Sequence, residues 1–165
     1  MNHTPHSSNL PPVYGIAAAG ATPALPHHKL IAYTVARDLV VAVKACSIRS
    51  AHLRDQALRA AQSAALNCAE GAGRVSRADK ARAFAIARAE CVEAAAAVEI
   101  AALCGEASAA SAAEVARLAN RLVALLTGLV LIIHHISTAL DRRTRCGDGW
   151  PQVTGAAQKQ ATRGG

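Results

Sequence analysis

The residues best suited to chemistry are basic side chains around the connection between two predicted helices. Arginine and lysine bind phosphate oxygens, and the free backbone N–H groups at a helix N-terminus add to such a site. Several of these residues cluster at the predicted start of the third helix, so this end of the molecule is a candidate for binding the backbone of a nucleic acid. A solvated basic surface is the alternative. The candidate residues are Arg54, Arg59, Arg74, Arg77, Lys80 and Arg82.

A second set of residues surrounds the same connection: Ser63, Asn67, Glu70, Gly71, Gly73, Arg88 and Glu93. Polar side chains spaced four apart, such as Ser63 and Asn67, share one helix face and need hydrogen-bond partners. An acidic residue at a helix C-terminus opposes the helix dipole, so Glu70 predicts a cationic partner, either Arg74 or Arg88. Gly71 is expected just after the second helix, where a positive φ is favoured. The simplest alternative is that these residues only stabilise the turn.

Enzyme chemistry has little support in the residue spacing. His134 and His135 are adjacent, so they point about 100° apart on a helix and cannot easily share one metal ion. Ser63 has no histidine within one helical turn, and the Gly71–Gly73 segment is too short for a phosphate-binding loop. The glutamates of the third predicted helix are most simply surface charges or salt-bridge partners. We therefore expect no enzyme activity, no metal and no cofactor.

Composition predicts an all-α domain. Alanine supplies 41 of the 165 residues, and aromatic residues only 2 %. Sheets favour β-branched and aromatic residues, whereas alanine is the best helix former. The formal net charge is +7, and the excess lies in residues 29–74 and 141–165. A basic balance of this kind favours nucleic acid or another anionic surface as a partner.

Cysteine usage and hydropathy indicate a cytoplasmic protein without a membrane span. The five cysteines form no C-x-x-C pair, which gives no sign of a disulfide framework or zinc cluster. The N-terminus lacks the basic and apolar regions of a secretory signal. The most apolar run, residues 122–133, is shorter than the roughly 20 residues a membrane span needs. We interpret that run as a buried helix.

The chain divides into a flexible arm (1–26), a helical domain (27–140) and a flexible basic tail (141–165). Apolar periodicity predicts helices over about 27–46, 52–70, 76–104 and 111–140. Capping boxes begin at Ser76 and Ser111, and Gly105 ends the third helix. Short connections make neighbouring helices antiparallel. The expected architecture is an antiparallel up-down-up-down four-helix bundle with disordered N- and C-terminal tails.

The fourth predicted helix has two apolar faces. Residues on the first face alternate spacings of three and four, as in a coiled coil: Val115, Leu118, Leu122, Leu125, Leu129, Ile132 and Ile136. A second face contains Leu126, Val130, Ile133 and Leu140. A helix in a small bundle needs only one apolar face, so the surplus is either buried more deeply or meets another subunit. We favour another subunit, because the other helices have few large side chains.

Three elements in order resemble a known family. Residues 67–74, NCAEGAGR, are similar to the N-I-A-E-G-x-G-R signature of the four helix bundle proteins, also called 23S rRNA intervening-sequence proteins. Residues 59–63, RAAQS, and residues 84–88, FAIAR, resemble its R-A-A-x-S and F-L-x-I-A-R elements, and Glu93 fits a following acidic position. The resemblance covers about residues 29–135. Cys68, Ala89 and Glu90 depart from the family pattern.

The resemblance implies an antiparallel four-helix bundle that forms a pentameric ring with a basic surface. It implies no enzyme activity. A related branch, the accessory variability protein of diversity-generating retroelements, binds its reverse transcriptase and nucleic acid. Two functions therefore stand beside the enzyme alternative. One is an oligomer that binds the nucleic-acid backbone, and the other is a protein–protein adaptor, for example for a reverse transcriptase.

Overall fold

The computed structural model describes the backbone of residues 24–146 and the side chains of residues 24–140. A short 3-10 helix, Pro26–Lys29, precedes four α-helices: α1 (Ile31–Ala45), α2 (Ala51–Gly73), α3 (Arg77–Leu103) and α4 (Ala109–Cys146). No strand occurs in this range, and the all-α four-helix prediction is confirmed. Most of the predicted arm and tail, residues 1–23 and 147–165, lies outside the described residues. Helix α4 continues six residues past the predicted boundary at 140.

The helices pack in chain order around one core, each against its two neighbours. The α1–α2 and α3–α4 connections meet at one end, where the Arg49 amide donates to the Glu106 carbonyl at 3.1 Å. The α2–α3 turn therefore lies at the opposite end. Helices α3 and α4 are antiparallel, because Arg88 reaches Thr127 whereas Cys91, further along α3, reaches the earlier Ala119. The arrangement is up-down-up-down, as short connections predict.

Alanine supplies most of the buried positions of both α2 and α3. The buried positions of α2 are four alanines, Cys68 and Gly71, and α3 buries mainly alanine around Phe84, Cys91 and Val98. Small side chains let two helix backbones approach at the short end of the usual 8–10 Å interaxial distance. Large apolar side chains enter the core mostly from α1 and α4, including Leu39, Leu122 and Leu126. The seven-residue steps between Phe84, Cys91 and Val98 are confirmed as a core stripe.

Helix ends follow the sequence signals in part. Ser76 caps α3 through a 3.4 Å bond from the Asp79 amide, and Gly105, with φ +69°, ends the same helix region. The capping box predicted at Ser111 is wrong, because α4 begins two residues earlier. Ser108 accepts from the Ser111 amide at 3.0 Å, and Glu114 instead pairs with Arg117. Residues 26–29 form a 3-10 turn rather than the start of α1, because the chain is extended at Leu30.

Helix α4 is the longest helix and the least covered. By length and composition alone, its segment Ala109–Leu140 would suffice to cross a membrane, and the most apolar 18-residue window of this segment has a mean hydropathy of 2.0. Only 11 % of that most apolar window is buried within the chain. Of the run 122–133, Leu122 and Leu126 are fully buried whereas Leu131 and Ile132 are 62 % and 59 % exposed. The prediction that this run is a buried helix is therefore wrong for its second half.

Candidate nucleic-acid interface

The turn that joins α2 to α3 is short and charged. Helix α2 ends at Gly73, Arg74 is its C-cap, and Ser76 already caps α3. The Arg74 guanidinium forms an ion pair with Glu70, one helical turn earlier, and its Nε donates to Oε1 at 3.0 Å. The hydrogen bond and charge of Glu70, and to a lesser degree the charge of Asp79, raise the pKa of Arg74. Arg74, not Arg88, is thus the cation that offsets the unfavourable position of Glu70.

Gly71 has a different role from the one its sequence position predicts. It lies inside α2, and the only glycine with positive φ in the described residues is Gly105. A Cβ built on Gly71 would lie 2.6 Å from Cε1 and 2.7 Å from Cδ1 of Phe84. Glycine is therefore favoured at this position, because the Phe84 ring, 4 % exposed, packs directly against the α2 backbone there. Gly73 has no such neighbour.

The polar residues of the predicted motif form one contact within α2 and one between α3 and α4. Asn67 Nδ2 donates to the Ser63 carbonyl at 2.9 Å and to the Ser63 hydroxyl at 3.3 Å, within one face of α2. Arg88 Nε donates to Thr127 Oγ1 at 3.0 Å, which links α3 to α4. These contacts lie on the partly exposed surface of the bundle, and they agree with a structural role for the motif.

A chain of side-chain hydrogen bonds links α2 to α3 further from the turn. Gln56 Nε2 donates to Glu93 Oε1, and Arg59 Nη2 donates to Gln56 Oε1 at 2.6 Å. Arg59 is therefore connected to Glu93 through Gln56. Gln56 and Thr127 have no signal in the local sequence, because their partners are 37 and 39 residues away along the chain.

The structure brings four of the six predicted basic residues to one end. Arg74, Arg77, Lys80 and Arg82 surround the α2–α3 turn, which we call the basic end. Arg54 lies in the first turns of α2, about 30 Å from Arg74 along the helix axis at 1.5 Å per residue. It donates to the Ile48 carbonyl at 3.3 Å and lies 3.8 Å from Asp55. Arg59 is about 22 Å from Arg74 by the same measure.

The basic end combines free and neutralised charges. The side chains of Arg77, Lys80 and Arg82 make no ion pair or hydrogen bond within residues 24–140, whereas Arg74 is paired with Glu70. Asp79 lies in the first turn of α3, where it already offsets the positive end of the helix dipole. At 100° per residue, Arg82 points about 140° away from Arg77. The available cations therefore surround the end of the hairpin rather than lining one side of it.

A shallow groove of about 380 Å³ lies between α2 and α3 beside the turn. Acidic and basic residues alternate along its walls, and Ile86 is partly exposed in it. Its lining residues are Asn67, Glu70, Arg74, Asp79, Arg82, Ala83 and Ile86. A mixed-charge groove with an apolar side chain is better suited to a polypeptide than to a polyanion, because Glu70 and Asp79 repel phosphate.

The described residues around the α2–α3 turn form neither a metal-binding cluster nor a site with a reactive thiol. Among the described residues, no group of three or more histidine, cysteine, aspartate or glutamate side chains is placed to hold a metal ion. Cys68 and Cys91 are fully buried between α2 and α3. Burial raises the pKa of Cys68 to about 12, with a smaller contribution from Cys91, and burial raises the pKa of Cys91 to about 11. Both thiols are therefore poor nucleophiles at neutral pH.

Comparison with known proteins identifies the family but not a partner. No curated protein matches the chain as a relative. The model of the 23S rRNA-intervening sequence protein family matches residues 28–128, that is 101 of the 165 residues. The match includes α1, α2, α3 and the half of α4 that packs in the core. It also contains the whole basic end with its Gly71–Phe84 contact. Because the match covers more than half of the chain, the chain belongs to the 23S rRNA-intervening sequence protein family.

Proposed function

We propose that this protein is a non-enzymatic, oligomeric four-helix bundle that binds the phosphate backbone of RNA or DNA through its basic end. The observation that carries the proposal is the set of unpaired cations, Arg77, Lys80 and Arg82, beside the α2–α3 turn. Arginine and lysine without an acidic partner are available to phosphate oxygens at no cost in broken ion pairs. The net charge of +7 supports the same conclusion.

Binding of this kind depends on charge rather than on base sequence. The described residues contain only two aromatic side chains that are not histidine, Tyr33 and Phe84, and Phe84 is buried. Base stacking supplies much of the affinity of single-strand binding proteins, and the described part of the basic end offers no aromatic side chain for it. We expect contacts to the backbone, weak sequence preference and a steep dependence on salt.

The test is fluorescence anisotropy with labelled RNA and DNA duplexes between about 50 and 300 mM salt, where phosphate-driven binding falls steeply. The variant Arg77→Ala/Lys80→Ala removes two charges from the basic end. The matched control, Lys44→Ala/Arg121→Ala, removes two exposed charges elsewhere. We expect the first variant to weaken binding and to lower the slope of log K against log salt by about 2, and the control to change little.

Three results would contradict the proposal: no binding at the lowest salt, equal losses in both variants, or a slope that the first variant leaves unchanged. A further variant, Arg54→Ala/Arg59→Ala, tests whether the surface extends along α2. Those two side chains are already hydrogen-bonded, so we expect a smaller loss than at the basic end.

A protein–protein adaptor is the second candidate, and the mixed-charge groove favours it. Glu70 and Asp79 alternate with Arg74 and Arg82 along the groove, a pattern that complements a polypeptide with both charge signs. A reverse transcriptase is the partner suggested by the resemblance to accessory proteins of retroelements. The test is co-purification from nuclease-treated extract. A partner retained by the wild type and lost in Asp79→Ala/Arg82→Ala supports the adaptor, and loss of every partner after nuclease treatment contradicts it.

A further inference from the structure

Helix α4 continues beyond the domain boundary that the sequence predicts, and its last residues are basic. The helix ends at Cys146, and we call residues 141–146 the α4 extension. The sequence of residues 141–145 is DRRTR, which contains three arginines and one aspartate. The family match ends at residue 128, so the α4 extension is a feature of this chain outside the matched region.

Two contacts between α3 and α4 determine which parts of the two helices lie side by side. The Cys91 thiol donates to the Ala119 carbonyl at 3.6 Å, and Arg88 Nε donates to Thr127 Oγ1 at 3.0 Å. Since the helices are antiparallel, counting back along α3 corresponds to counting forward along α4. The start of α3 therefore lies level with residues 133–138 of α4.

The end of α4 projects past the α2–α3 turn. Beyond the level at which α3 starts, α4 continues for about 8–13 residues, which span about 12–20 Å at 1.5 Å per residue. Val130 and Ile133 still pack against the core, so α4 stays beside α3 up to this level. The α4 extension thus leaves the bundle at the basic end.

The same contacts determine which side of α4 borders the start of α3. Arg77 precedes Arg88 by eleven residues, which is about three helical turns, so both lie on one face of α3. Thr138 follows Thr127 by the same interval and lies on the same face of α4 as Thr127. The side of α4 that Arg88 contacts therefore continues next to Arg77, where Thr138 is exposed.

Two of the three arginines in the α4 extension occupy positions on this side of the helix. At 100° per residue, positions 142 and 145 are about 40° and 20° from position 138, whereas position 143 is about 140° away. Arg142 and Arg145 are therefore about one and two turns beyond Thr138 along the side of α4 that borders Arg77.

Cations outnumber carboxylates where the two helices meet. The first six residues of α3 contain Arg77, Lys80 and Arg82, whose side chains are not paired within residues 24–140, and one acidic residue, Asp79. In α4, residues 115–146 contain a single acidic residue, Asp141. Like charges that are gathered at one end of a molecule raise the local potential and attract a polyanion.

We propose that the α4 extension is part of the phosphate-binding surface, and that Arg142 and Arg145 continue this surface from Arg77 along α4. The backbone of RNA or DNA is then held by two helices instead of by the α2–α3 turn alone. This inference rests on the proposed function and adds two residues and a direction to its binding surface. It also assigns a role to the excess of positive charge after residue 140.

The phosphates of anionic lipids are the competing ligand, and the packing of α4 argues against them. Leu122 and Leu126 are fully buried in the core, so α4 could enter a bilayer only beyond them. The 14 residues from there to Leu140 span about 21 Å, less than the roughly 30 Å of a hydrocarbon layer. The free cations of the neighbouring basic end favour a polyanion that contacts both helices.

The first test is fluorescence anisotropy of the full chain with labelled RNA and DNA duplexes over about 50–300 mM salt. Arg142→Ala/Arg145→Ala should weaken binding at least tenfold near 0.15 M salt and lower the slope of log K against log salt by about 2. The matched control, Lys159→Ala/Arg163→Ala, removes two charges from the part of the C-terminal sequence that lies outside the described residues. We expect the control to change binding little.

The second test compares neighbouring arginines on different sides of the helix. Arg142→Ala and Arg145→Ala should each weaken the Kd about fivefold near 0.15 M salt, because each removes one phosphate contact. Arg143→Ala removes the same charge from the other side of α4 and should weaken the Kd less than about twofold. Arg142→Lys/Arg145→Lys should keep the salt slope of the wild type, since lysine retains the charge. Circular dichroism should show equal helicity, because alanine is a strong helix former.

Four outcomes would overturn the inference, and they separate it from the proposed function. Equal losses in the three single variants, or in the double variant and its control, would mean that the helical position of the charge is irrelevant. Loss of binding in Arg77→Ala/Lys80→Ala but not in Arg142→Ala/Arg145→Ala would leave the proposed function standing without the extension. No binding by the wild type at the lowest salt would contradict both. The fourth outcome is a double variant that loses binding to phosphatidylserine vesicles but keeps its affinity for RNA and DNA, which would assign the extension to a lipid surface.

Discussion

The contact between Gly71 and Phe84 gives the sharpest prediction about stability. In Gly71→Ala the new methyl group would lie 2.6, 2.7 and 2.9 Å from three atoms of the Phe84 ring. Carbon atoms that are not bonded prefer about 3.5–4.0 Å, so the ring must move. Phe84 is only 4 % exposed and packs among core residues of α2 and α3, so it has little room to do so.

Two opposing terms set the size of the effect. Alanine inside a helix is favoured over glycine by about 1 kcal/mol. Inserting one carbon into a packed core costs about 1–3 kcal/mol. Gly71→Ala should therefore lower the free energy of unfolding by between about zero and 2 kcal/mol. Gly73→Ala, in the same helix with nothing within 4 Å of its Cβ, should raise it by up to about 1 kcal/mol.

The assay is urea unfolding followed by circular dichroism, with every variant at one protomer concentration, because self-association would add to the measured stability. The expected difference between the Gly71 and Gly73 variants is about 1–3 kcal/mol, which measures the clash. The same Gly71 substitution in a Phe84→Leu background should cost less, because the smaller side chain removes the ring atoms. If Gly71→Ala stabilises the protein as much as Gly73→Ala, the Phe84 ring does not pack as closely against Gly71 as described.

Three further predictions concern helix capping, the core and pH. Ser76→Ala should lower the free energy of unfolding by about 1 kcal/mol, because the Asp79 amide loses its acceptor; an unchanged value in urea unfolding would show that the cap contributes nothing. Leu39→Ala, at a fully buried position, should cost about 2–5 kcal/mol, whereas Val75→Ala, 96 % exposed, should stay within about 0.5 kcal/mol; similar losses for both would contradict the assigned core. The pKa values of Cys68 and Cys91 are raised in the folded state to about 12 and about 11, against 9.0 ordinarily. Their contribution to stability is therefore complete below pH 9 and falls as the pH rises through that value, by about 1.4 kcal/mol per thiol for each pH unit. Replacing both thiols with alanine should remove this part of the alkaline loss between pH 9 and 10.5, and identical pH slopes would contradict it.

Local sequence signals predicted the helices well where the cause was local. Apolar periodicity located the ends of four helices to within six residues, and Ser76 and Gly105 marked the ends of α3 as expected. These features depend on residues at most four apart, so the sequence contains all that decides them. The error at the start of α4 has the same scale, because Ser108 and Ser111 both offer a capping hydroxyl and the chain uses the earlier one.

Periodicity and capping signals could not predict contacts between residues that are distant in the sequence. Gly71 reads as a helix end, yet its position is explained by a phenylalanine on the next helix. Glu70 had two candidate partners by spacing, and the helix geometry selected Arg74 while Arg88 turned to Thr127. Such choices depend on how two helices are rotated and shifted against each other, which no short window of sequence specifies.

Composition and periodicity were sufficient to determine that this chain is a basic all-α bundle, because helix formation and net charge are sums of local terms. The bundle alone decided which cations remain free and which half of the apolar α4 seam is buried. A side chain is paired or covered only when another element reaches it, and reach depends on relative helix lengths and registers. Here α1 has only 15 residues whereas α4 has 38, so α1 does not reach the second half of α4, and Ile132 and Ile136 remain exposed.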